Sequence, residues 1–200
     1  PSYLPYDESH SLKPENFYGE TKLESETLLK NTYLKHKGWN IVVLRYFNPI
    51  GSHHSYLIGD SPLGKPENLM PNILNAVNSK EIALKIFGSD HDTLDGTPVR
   101  DFIHIDDIVS AHLLCLNKNK TNFWNNIYNI GYNNGVTVFQ IVSEFKKIFK
   151  KKLKFKFVNK KKGEIEKSIA NNQKLLKNTK WKPKFVNINK MIRSYYINSK

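Results

Sequence analysis

Ile41-Val42-Val43-Leu44-Arg45-Tyr46-Phe47 is a short and almost unbroken apolar run. Such a run is typical of a strand that is covered on both faces, as in a parallel sheet. Before it, residues 15–37 have a helical pattern that opens after Pro14, with glutamates in its early turns and lysines near its end at Gly38. A helix, a turn and a buried strand follow one another in this way in α/β proteins, so the stretch predicts an α/β fold.

The rest of the chain continues this alternation of helices and strands. Apolar periodicity predicts helices over residues 69–79, 106–116, 138–149 and 188–196. It predicts strands over residues 84–87, 126–130 and 153–158. Thr137 stands where it can cap the helix that follows it. Turn residues predict loops over the polar stretches 48–68 and 89–97, and residues 159–187 are only weakly patterned.

Two glycine motifs of dinucleotide-binding proteins, G-x-G-x-x-G and G-x-x-G-x-x-G, do not occur in these 200 residues. A doubly wound nucleotide-binding sheet carries its phosphate-binding turn after its first strand. Here the first strong strand comes only after residue 40, and a helix precedes it. We therefore expect the second half of a doubly wound Rossmann-type parallel sheet.

The net charge of +13 is distributed unevenly along the chain. Residues 1–100 hold 10 Lys+Arg and 12 Asp+Glu, a net −2, whereas residues 101–200 hold 21 and 6, a net +15. A nucleic-acid surface is one interpretation of this excess. Only three of the 31 basic residues are arginine, however, and nucleic-acid readers usually depend on arginine forks. We therefore favour solvated lysine-rich faces and do not expect nucleic acid as a partner.

Other features restrict the broad class of protein. The single cysteine, Cys115, rules out an internal disulfide framework and suits a reducing compartment. No apolar run approaches the ~18–20 residues of a membrane span, and the first residues do not have the pattern of a signal peptide. We therefore expect a cytoplasmic protein without membrane association. His53 and His54 lie together in a predicted loop, but no cysteine or carboxylate cluster completes a zinc site, so no metal is expected.

Tyr18 and Lys22 stand four residues apart in the first predicted helix. This spacing places a phenol and an ammonium side by side on one helix face. A lysine beside a phenol stabilises the phenolate, so the tyrosine can take or give a proton at neutral pH. The bare pattern Y-x-x-x-K also arises by chance, and a surface helix turn is then the more common explanation.

Several segments, taken in order, resemble the UDP-hexose 4-epimerases, which are extended short-chain dehydrogenases. Tyr18 and Lys22 match the Y-x-x-x-K motif of that family, and residues 44–51 match its L-R-Y-F-N-P-x-G. The other matching segments are Asn68-Leu69-Met70-Pro71, Ile86-Phe87-Gly88, Asp92-Thr93-Leu94-Asp95-Gly96-Thr97, Val99-Arg100-Asp101-Phe102-Ile103-His104-Ile105-Asp106-Asp107 and Tyr128-Asn129-Ile130-Gly131. Any one motif is modest, but the ordered set is highly specific.

The resemblance implies NAD as the cofactor and a UDP-sugar as the substrate. Tyr18 would remove the proton from the sugar 4-hydroxyl as hydride leaves C4, and Lys22 would hold the nicotinamide ribose and stabilise the phenolate. Tyr46 and Phe47 would lie beside the nicotinamide. The residues implied to contact the UDP-sugar are Asn48, Asn68, Leu69, Leu84, Phe87, Arg100, Lys161, Glu164 and Ser168.

Arg100 is implied to pair with the diphosphate of the substrate. A diphosphate needs a fixed cation, and arginine offers a planar fork whose charge is permanent. The alternative is a structural ion pair with Asp101 or Asp95. The family motif that surrounds Arg100 favours pairing with the phosphate.

The late substrate motif of the family, R-x-G-D, is altered in this chain. Lys161-Lys162-Gly163-Glu164 stands in its place, and lysine keeps the charge of arginine but loses the bidentate fork. In the family, a small residue four positions further on leaves space for an N-acetyl group. Ser168 therefore suggests that UDP-GlcNAc and UDP-GalNAc are also possible substrates.

The resemblance also implies a division into domains and an assembly. Residues 1–48, with parts of about 99–131, would form the C-terminal part of an NAD-binding Rossmann domain. Residues 49–98 and 132–200 would mainly form a small α/β substrate-binding domain. A homodimer through helices that include the Tyr-Lys helix is expected of the full-length family members.

The glycine-rich NAD segment of the family has no counterpart in these 200 residues, so we expect no epimerase activity from them alone. One alternative is an inactive remnant, or pseudoenzyme, that retains a UDP-sugar-binding lobe. A less favoured alternative is a basic nucleic-acid-binding module.

Overall fold

A computed structural model of the chain describes residues 3–36, 38–60, 62–79, 81–118 and 126–198. The helices in these ranges are α1 (Phe17–Lys35), α2 (Leu69–Asn78), α3 (Ile105–Lys118), α4 (Val138–Phe149), α5 (Gln173–Asn178) and α6 (Ile188–Asn198). The strands are β1 (Val43–Tyr46), β2 (Asn48–Ile50), β3 (Leu84–Phe87), β4 (Val99–His104), β5 (Ile127–Ile130), β6 (Gly135–Thr137), β7 (Phe155–Val158) and β8 (Lys167–Ser168).

Strand β1 confirms the parallel pairing that the apolar run predicted. It pairs in parallel with β5, so that Val43 lies opposite Ile127 and Tyr46 lies opposite Ile130. Its residues are half-buried or exposed, whereas the run had predicted a strand covered on both faces. Within the described ranges, β5 is the only strand paired with it. The α/β class with parallel pairing is therefore confirmed, but this strand is less covered than expected.

Strand β4 is the centre of the second sheet. It pairs in parallel with β2 and β8 and antiparallel with β6. Its consecutive residues Phe102 and Ile103 belong to different apolar clusters, as expected when successive side chains of a strand point to opposite faces. The cluster of Phe102 includes residues of α2, α4 and α6, whereas that of Ile103 includes residues of α3, β5 and α5. β4 thus contributes one of its faces to each of the two apolar clusters.

Helix α4 begins at the cap that the sequence predicted. The Thr137 hydroxyl accepts a hydrogen bond from the Gln140 N–H, and the Gln140 side chain accepts one from the Thr137 N–H, which forms a capping box. Ile141, Val142 and Phe145 on its apolar face are fully buried. Helix α1 differs, because none of its residues, all of which the structure describes, is buried.

The sequence pattern did not predict β4, β6, β8 or α5, and β2 falls within a predicted loop. Strand β4 has no clear apolar alternation, because Asp101 and His104 are polar residues that are buried in it. The proposed domain boundaries stay a prediction. Among the described residues, no helix combines the length and the apolar character that a bilayer crossing requires.

Candidate functional site

Arg100 lies at the meeting point of β4 and β8, where it is the register partner of Ser168. One of its guanidinium nitrogens, Nη2, lies 3.4 Å from Glu164 Oε1. The other, Nη1, donates to the backbone carbonyls of Val99 at 2.9 Å and Glu166 at 3.3 Å. Three of the predicted substrate residues, Arg100, Glu164 and Ser168, are therefore brought together.

The alternative partners that the sequence offered for Arg100 have other roles. Asp101 is buried and accepts the backbone N–H groups of Tyr132, Asn133 and Ala170 at 2.9–3.1 Å. Asp95 accepts hydrogen bonds from the hydroxyls of Thr97 and Thr137. The alternative ion pair of Arg100 with Asp101 or Asp95 is thus not formed, because Asp101 binds backbone N–H groups and Asp95 binds the hydroxyl of Thr137, the residue that caps α4.

Arg100 is a charged side chain that lies close to the surface beside Glu164. Its side chain is 16% exposed, and that of Glu164 is 18% exposed. Burial lowers the pKa of the Arg100 guanidinium, while the negative charge of Glu164 opposes the shift. Arginine nevertheless remains charged at neutral pH. An incoming anion could therefore replace Glu164 as the partner of this cation.

Lys161 extends the group around Arg100 towards the end of β3. Its ammonium lies 4.3 Å from the centre of the Phe87 ring, within the range of a cation–π contact. The Lys161 N–H also lies 3.4 Å from Glu164 Oε2, so Glu164 links the lysine to the arginine. We call Phe87, Arg100, Lys161, Glu164 and Ser168 the Arg100 group. It combines two cations, an aromatic face and a carboxylate.

Asn68 and Leu69 stand at the start of α2. Asn68 is the N-cap residue of the helix, yet its side chain makes no capping hydrogen bond to any described residue. Its amide is thus available to a ligand beside the positive end of the helix dipole. Asn48 begins β2 and pairs with Phe102 of β4.

Leu84 and Phe87 stand at opposite ends of β3, and the Leu84 side chain is buried in the core. The structure therefore does not bring Leu84 to the surface with the Arg100 group. Its predicted contact with a UDP-sugar stays a prediction.

Tyr18 and Lys22 lie on one face of α1, as their spacing predicted. The Lys22 ammonium is 5.0 Å from the centre of the Tyr18 ring, so the lysine lies against the aromatic system of the tyrosine. Tyr18 is 70% exposed. The phenol is thus accessible to a ligand, with a cation beside it.

Tyr46 and Phe47 follow one another at the carboxyl end of β1. Tyr46 is 51% exposed, and its ring centre is 6.2 Å from that of His112. Phe47 donates its N–H to the carbonyl of Ile130 in β5, and its ring centre is 6.3 Å from that of Tyr6. Ligands of open parallel sheets bind at this end of the strands.

The chain just before α1 packs against Gly163, in the loop that precedes β8. A Cβ atom at Gly163 would lie 2.8 Å from the carbonyl oxygen of Glu15. Gly163 also has a φ of +72°, which strongly favours glycine. The glycine of the altered R-x-G-D segment thus permits close packing of the chain that leads into α1.

Tyr6 is a structural residue of this region that the sequence did not single out. It forms a parallel bridge with Ala170, and its hydroxyl donates to the Lys167 carbonyl at 3.4 Å. Burial raises the pKa of Tyr6. No sequence pattern near Tyr6 could have indicated this pairing, because Ala170 is distant along the chain.

Comparison with known proteins identifies relatives over most of the chain. Residues 2–131 match the NAD dependent epimerase/dehydratase family. The chain is 40% identical to UDP-glucose 4-epimerase of Bos taurus over 182 residues, which cover 90% of this chain and 52% of the relative. It is 41% identical to the Homo sapiens UDP-glucose 4-epimerase over 172 residues, covering 86% of this chain and 49% of the relative.

The fold agrees with solved structures of the same kind. UDP-glucose 4-epimerase from Bifidobacterium longum, solved in complex with NAD+ and UDP, superposes with a TM-score of 0.91 at 31% identity. The match covers 99% of this chain and 58% of that one. The Rossmann-type α/β class predicted from the sequence is confirmed, and the chain spans about half the length of the curated relatives from Bos taurus and Homo sapiens.

Proposed function

The chain belongs to the NAD dependent epimerase/dehydratase family, and from this premise we propose that it carries the UDP-sugar site and the proton-transfer pair of a UDP-hexose 4-epimerase. The proposed reaction interconverts UDP-glucose and UDP-galactose through oxidation and re-reduction at C4 of the sugar. The observation that carries the proposal is the assembly of the Arg100 group from three separate parts of the sequence around one cation.

The Arg100 group suits the nucleotide end of a UDP-sugar. Arg100 and Lys161 supply two positive charges for a diphosphate, and the guanidinium fork can hold two oxygens at once. Phe87 offers an aromatic face to a base, and Glu164 offers acceptors to ribose hydroxyls. Asn68, Leu69 and Asn48 would complete the contacts to the sugar nucleotide.

Tyr18 and Lys22 suit the chemistry at the sugar. The exposed phenol can accept a proton from the 4-hydroxyl and return it, while the adjacent ammonium favours the phenolate that forms. The same ammonium would hold a ribose hydroxyl of the cofactor.

The residues at the carboxyl end of β1 fit a nicotinamide cofactor. Tyr46 and Phe47 offer aromatic surfaces at the edge of the sheet where α/β proteins bind nucleotides. When bound, NAD would supply a hydride acceptor that can return the hydride to either face of the sugar. Tyr18, Lys22, Tyr46 and Phe47 are the residues of this chain that would hold it.

Ser168 bears on which sugars are accepted. It is the register partner of Arg100, so a small side chain lies next to the proposed diphosphate cation. A small side chain leaves more space than a large one would. We therefore include UDP-GlcNAc and UDP-GalNAc among the proposed ligands.

A homodimer is the proposed assembly. Val109, Leu113 and Leu116 form an exposed apolar stripe along α3 at spacings of four and three residues. Leu28 and Leu34 of α1 are also exposed. Such apolar surface is typical of a face that is covered by another protein surface.

A titration of the chain with UDP tests the proposal directly. We expect binding that weakens by about tenfold or more when Arg100→Ala removes the cation, whereas Arg193→Ala on α6 leaves it unchanged. Equal UDP affinity in both variants would contradict the proposal. Adding UDP-galactose and NAD then separates an active enzyme, which produces UDP-glucose, from a binding lobe without turnover.

A further inference from the structure

We propose that His53, His54 and Asp106 form a binding site for a divalent transition metal ion, of which Zn²⁺ is the representative. One ligand atom from each residue lies within 4.8 Å of the others. From the sequence, no metal was expected at His53 and His54, because no cysteine or carboxylate cluster completed a zinc site. The fold supplies the carboxylate from α3.

The three donors come together because two parallel strands end side by side. β2 and β4 pair so that Ile50 lies opposite His104, and the chain continues from Ile50 into the loop with His53 and from His104 into α3 with Asp106. The carboxyl ends of parallel strands are common positions for ligands. The site is therefore fixed by the sheet register.

The turn that carries the histidines is held against the start of α3. Gly51 has a φ of +89°, and a Cβ atom there would lie 2.4 Å from His104 Cδ2, so glycine is required for this close approach. The His54 N–H donates to Asp106 Oδ2 at 3.0 Å. Asp106 donates its own N–H to His104 Nδ1 at 3.1 Å, which anchors it to the end of β4.

The distances suit a metal ion without major rearrangement. His54 Nδ1 lies 3.2 Å from Asp106 Oδ2. Two ligands of a tetrahedral zinc ion with bonds of about 2.0–2.1 Å are roughly 3.3 Å apart. The ring centres of His53 and His54 are 4.0 Å apart, and the ligand atoms of all three residues lie within 4.8 Å of one another.

The surroundings also suit a metal centre. The Ser55 hydroxyl lies 2.7 Å from His53 Nδ1 and can orient this ring, as outer-shell groups do for metal-binding histidines. The His54 side chain is 68% exposed, so an ion can enter and keep water in a further position. Two imidazoles and one carboxylate favour zinc, cobalt, nickel or copper over magnesium or calcium.

An ion pair between His54 and Asp106 is the simpler explanation of their contact. That pair would need only one histidine. The ring of His53 lies directly against that of His54, with the ring centres 4.0 Å apart. A shared metal ion accounts for all three side chains, because it requires neutral imidazoles and a carboxylate together.

The site is separate from the Arg100 group. Arg100 and His104 are four residues apart on β4, which corresponds to about 13 Å along a strand. A metal ion bound at His53, His54 and Asp106 would thus not contact the Arg100 side chain.

Titration of the chain with Zn²⁺ by calorimetry, and with Co²⁺ by visible absorption, tests the site. We expect one ion per chain, with the affinity reduced at least about tenfold in His53→Ala, in His54→Ala and in Asp106→Asn. His36→Ala, at the end of α1, is the matched control and should bind as the unsubstituted chain does. Binding that is absent, or that is equal in all four variants, would overturn the proposal.

An independent readout covers the case in which a variant fails to fold. In the unsubstituted chain, Zn²⁺ should shift the ring ¹⁵N resonances of His53 and His54 and leave those of His10 and His36 in place. Mg²⁺ should shift none of them. Zinc-induced shifts confined to other histidines would also refute the site.

Discussion

The guanidinium of Arg100 and the carboxylate of Glu164 lie 3.4 Å apart, although 64 residues separate them in the sequence. Both were expected to contact the same sugar nucleotide, and in the structure they contact each other. On the proposed function, a phosphate bound beside Arg100 would therefore compete with Glu164 for this guanidinium.

Arg100→Lys should weaken UDP binding by about tenfold, since the charge is kept and the bidentate fork is lost. Calorimetric titration with UDP measures the change. Arg193→Lys serves as the matched control and should not alter the affinity. If Arg100→Lys binds UDP as tightly as the unsubstituted chain, the guanidinium geometry has no part in binding.

Lys161→Arg should tighten UDP binding by about three- to tenfold, because it restores the fork that lysine lacks next to Phe87. The neighbouring substitution Lys162→Arg adds the same group outside the Arg100 group and should have no effect. The two variants are compared in the same titration. A similar gain in both would mean that the effect is only one of general charge.

Ser168→Tyr should discriminate between sugars. A large side chain next to Arg100 is expected to reduce binding of UDP-GalNAc by roughly tenfold or more, and that of UDP-galactose by much less. Competition of each nucleotide sugar against labelled UDP gives the ratio. Equal losses for both sugars would place Ser168 away from the N-acetyl group.

Tyr132→Phe should destabilise the fold by about 1–3 kcal/mol. The Tyr132 hydroxyl donates to Asp107 Oδ2 at 2.6 Å and accepts the His104 N–H at 3.1 Å. Its removal takes away the acceptor of the buried His104 N–H, while Asp107 Oδ2 keeps the N–H groups of Lys184 and Phe185. Burial raises the pKa of Tyr132, which keeps the hydroxyl protonated as a donor. Urea unfolding measures the loss, with the exposed Tyr56→Phe as the control. Equal stability of the two variants would refute the argument.

Hydrogen exchange should be faster in α1 than in α4. None of the residues in α1, which the structure describes throughout, is buried, whereas α4 buries Ile141, Val142 and Phe145. Helices that bury little apolar surface open locally at low cost in free energy. Mass spectrometry of deuterated peptides from the two helices would measure the difference. Comparable protection of α1 and α4 in the monomeric chain would contradict this view.

The sequence predicted those elements whose causes are local. The apolar run of β3 and the cap at Thr137 were found because their patterns lie within a few residues. Strand β4 was not found, since Asp101 owes its burial to backbone groups of Tyr132, Asn133 and Ala170. Such partners are fixed only when the sheet forms.

In the candidate sites too, only contacts between residues that are close in the sequence could be predicted. Tyr18 and Lys22 could be paired from their spacing on one helix. The partner of Arg100 is 64 residues away, and the carboxylate beside His54 is 52 residues away, so neither could be read from local patterns. The resemblance to a family identified the members of the Arg100 group, but not their contacts with one another.

The position of β4 between three neighbouring strands has a consequence for how this sequence can change in length. One residue inserted before Asp101 would turn every following side chain of the strand to the other face, so that Phe102 and Ile103 would exchange cores. The insertion would also change the position of Arg100 relative to Asp106, because the register of β4 sets both. Insertions and deletions in related sequences should therefore spare residues 99–106 and collect in the exposed residues 56–60 and 62–65.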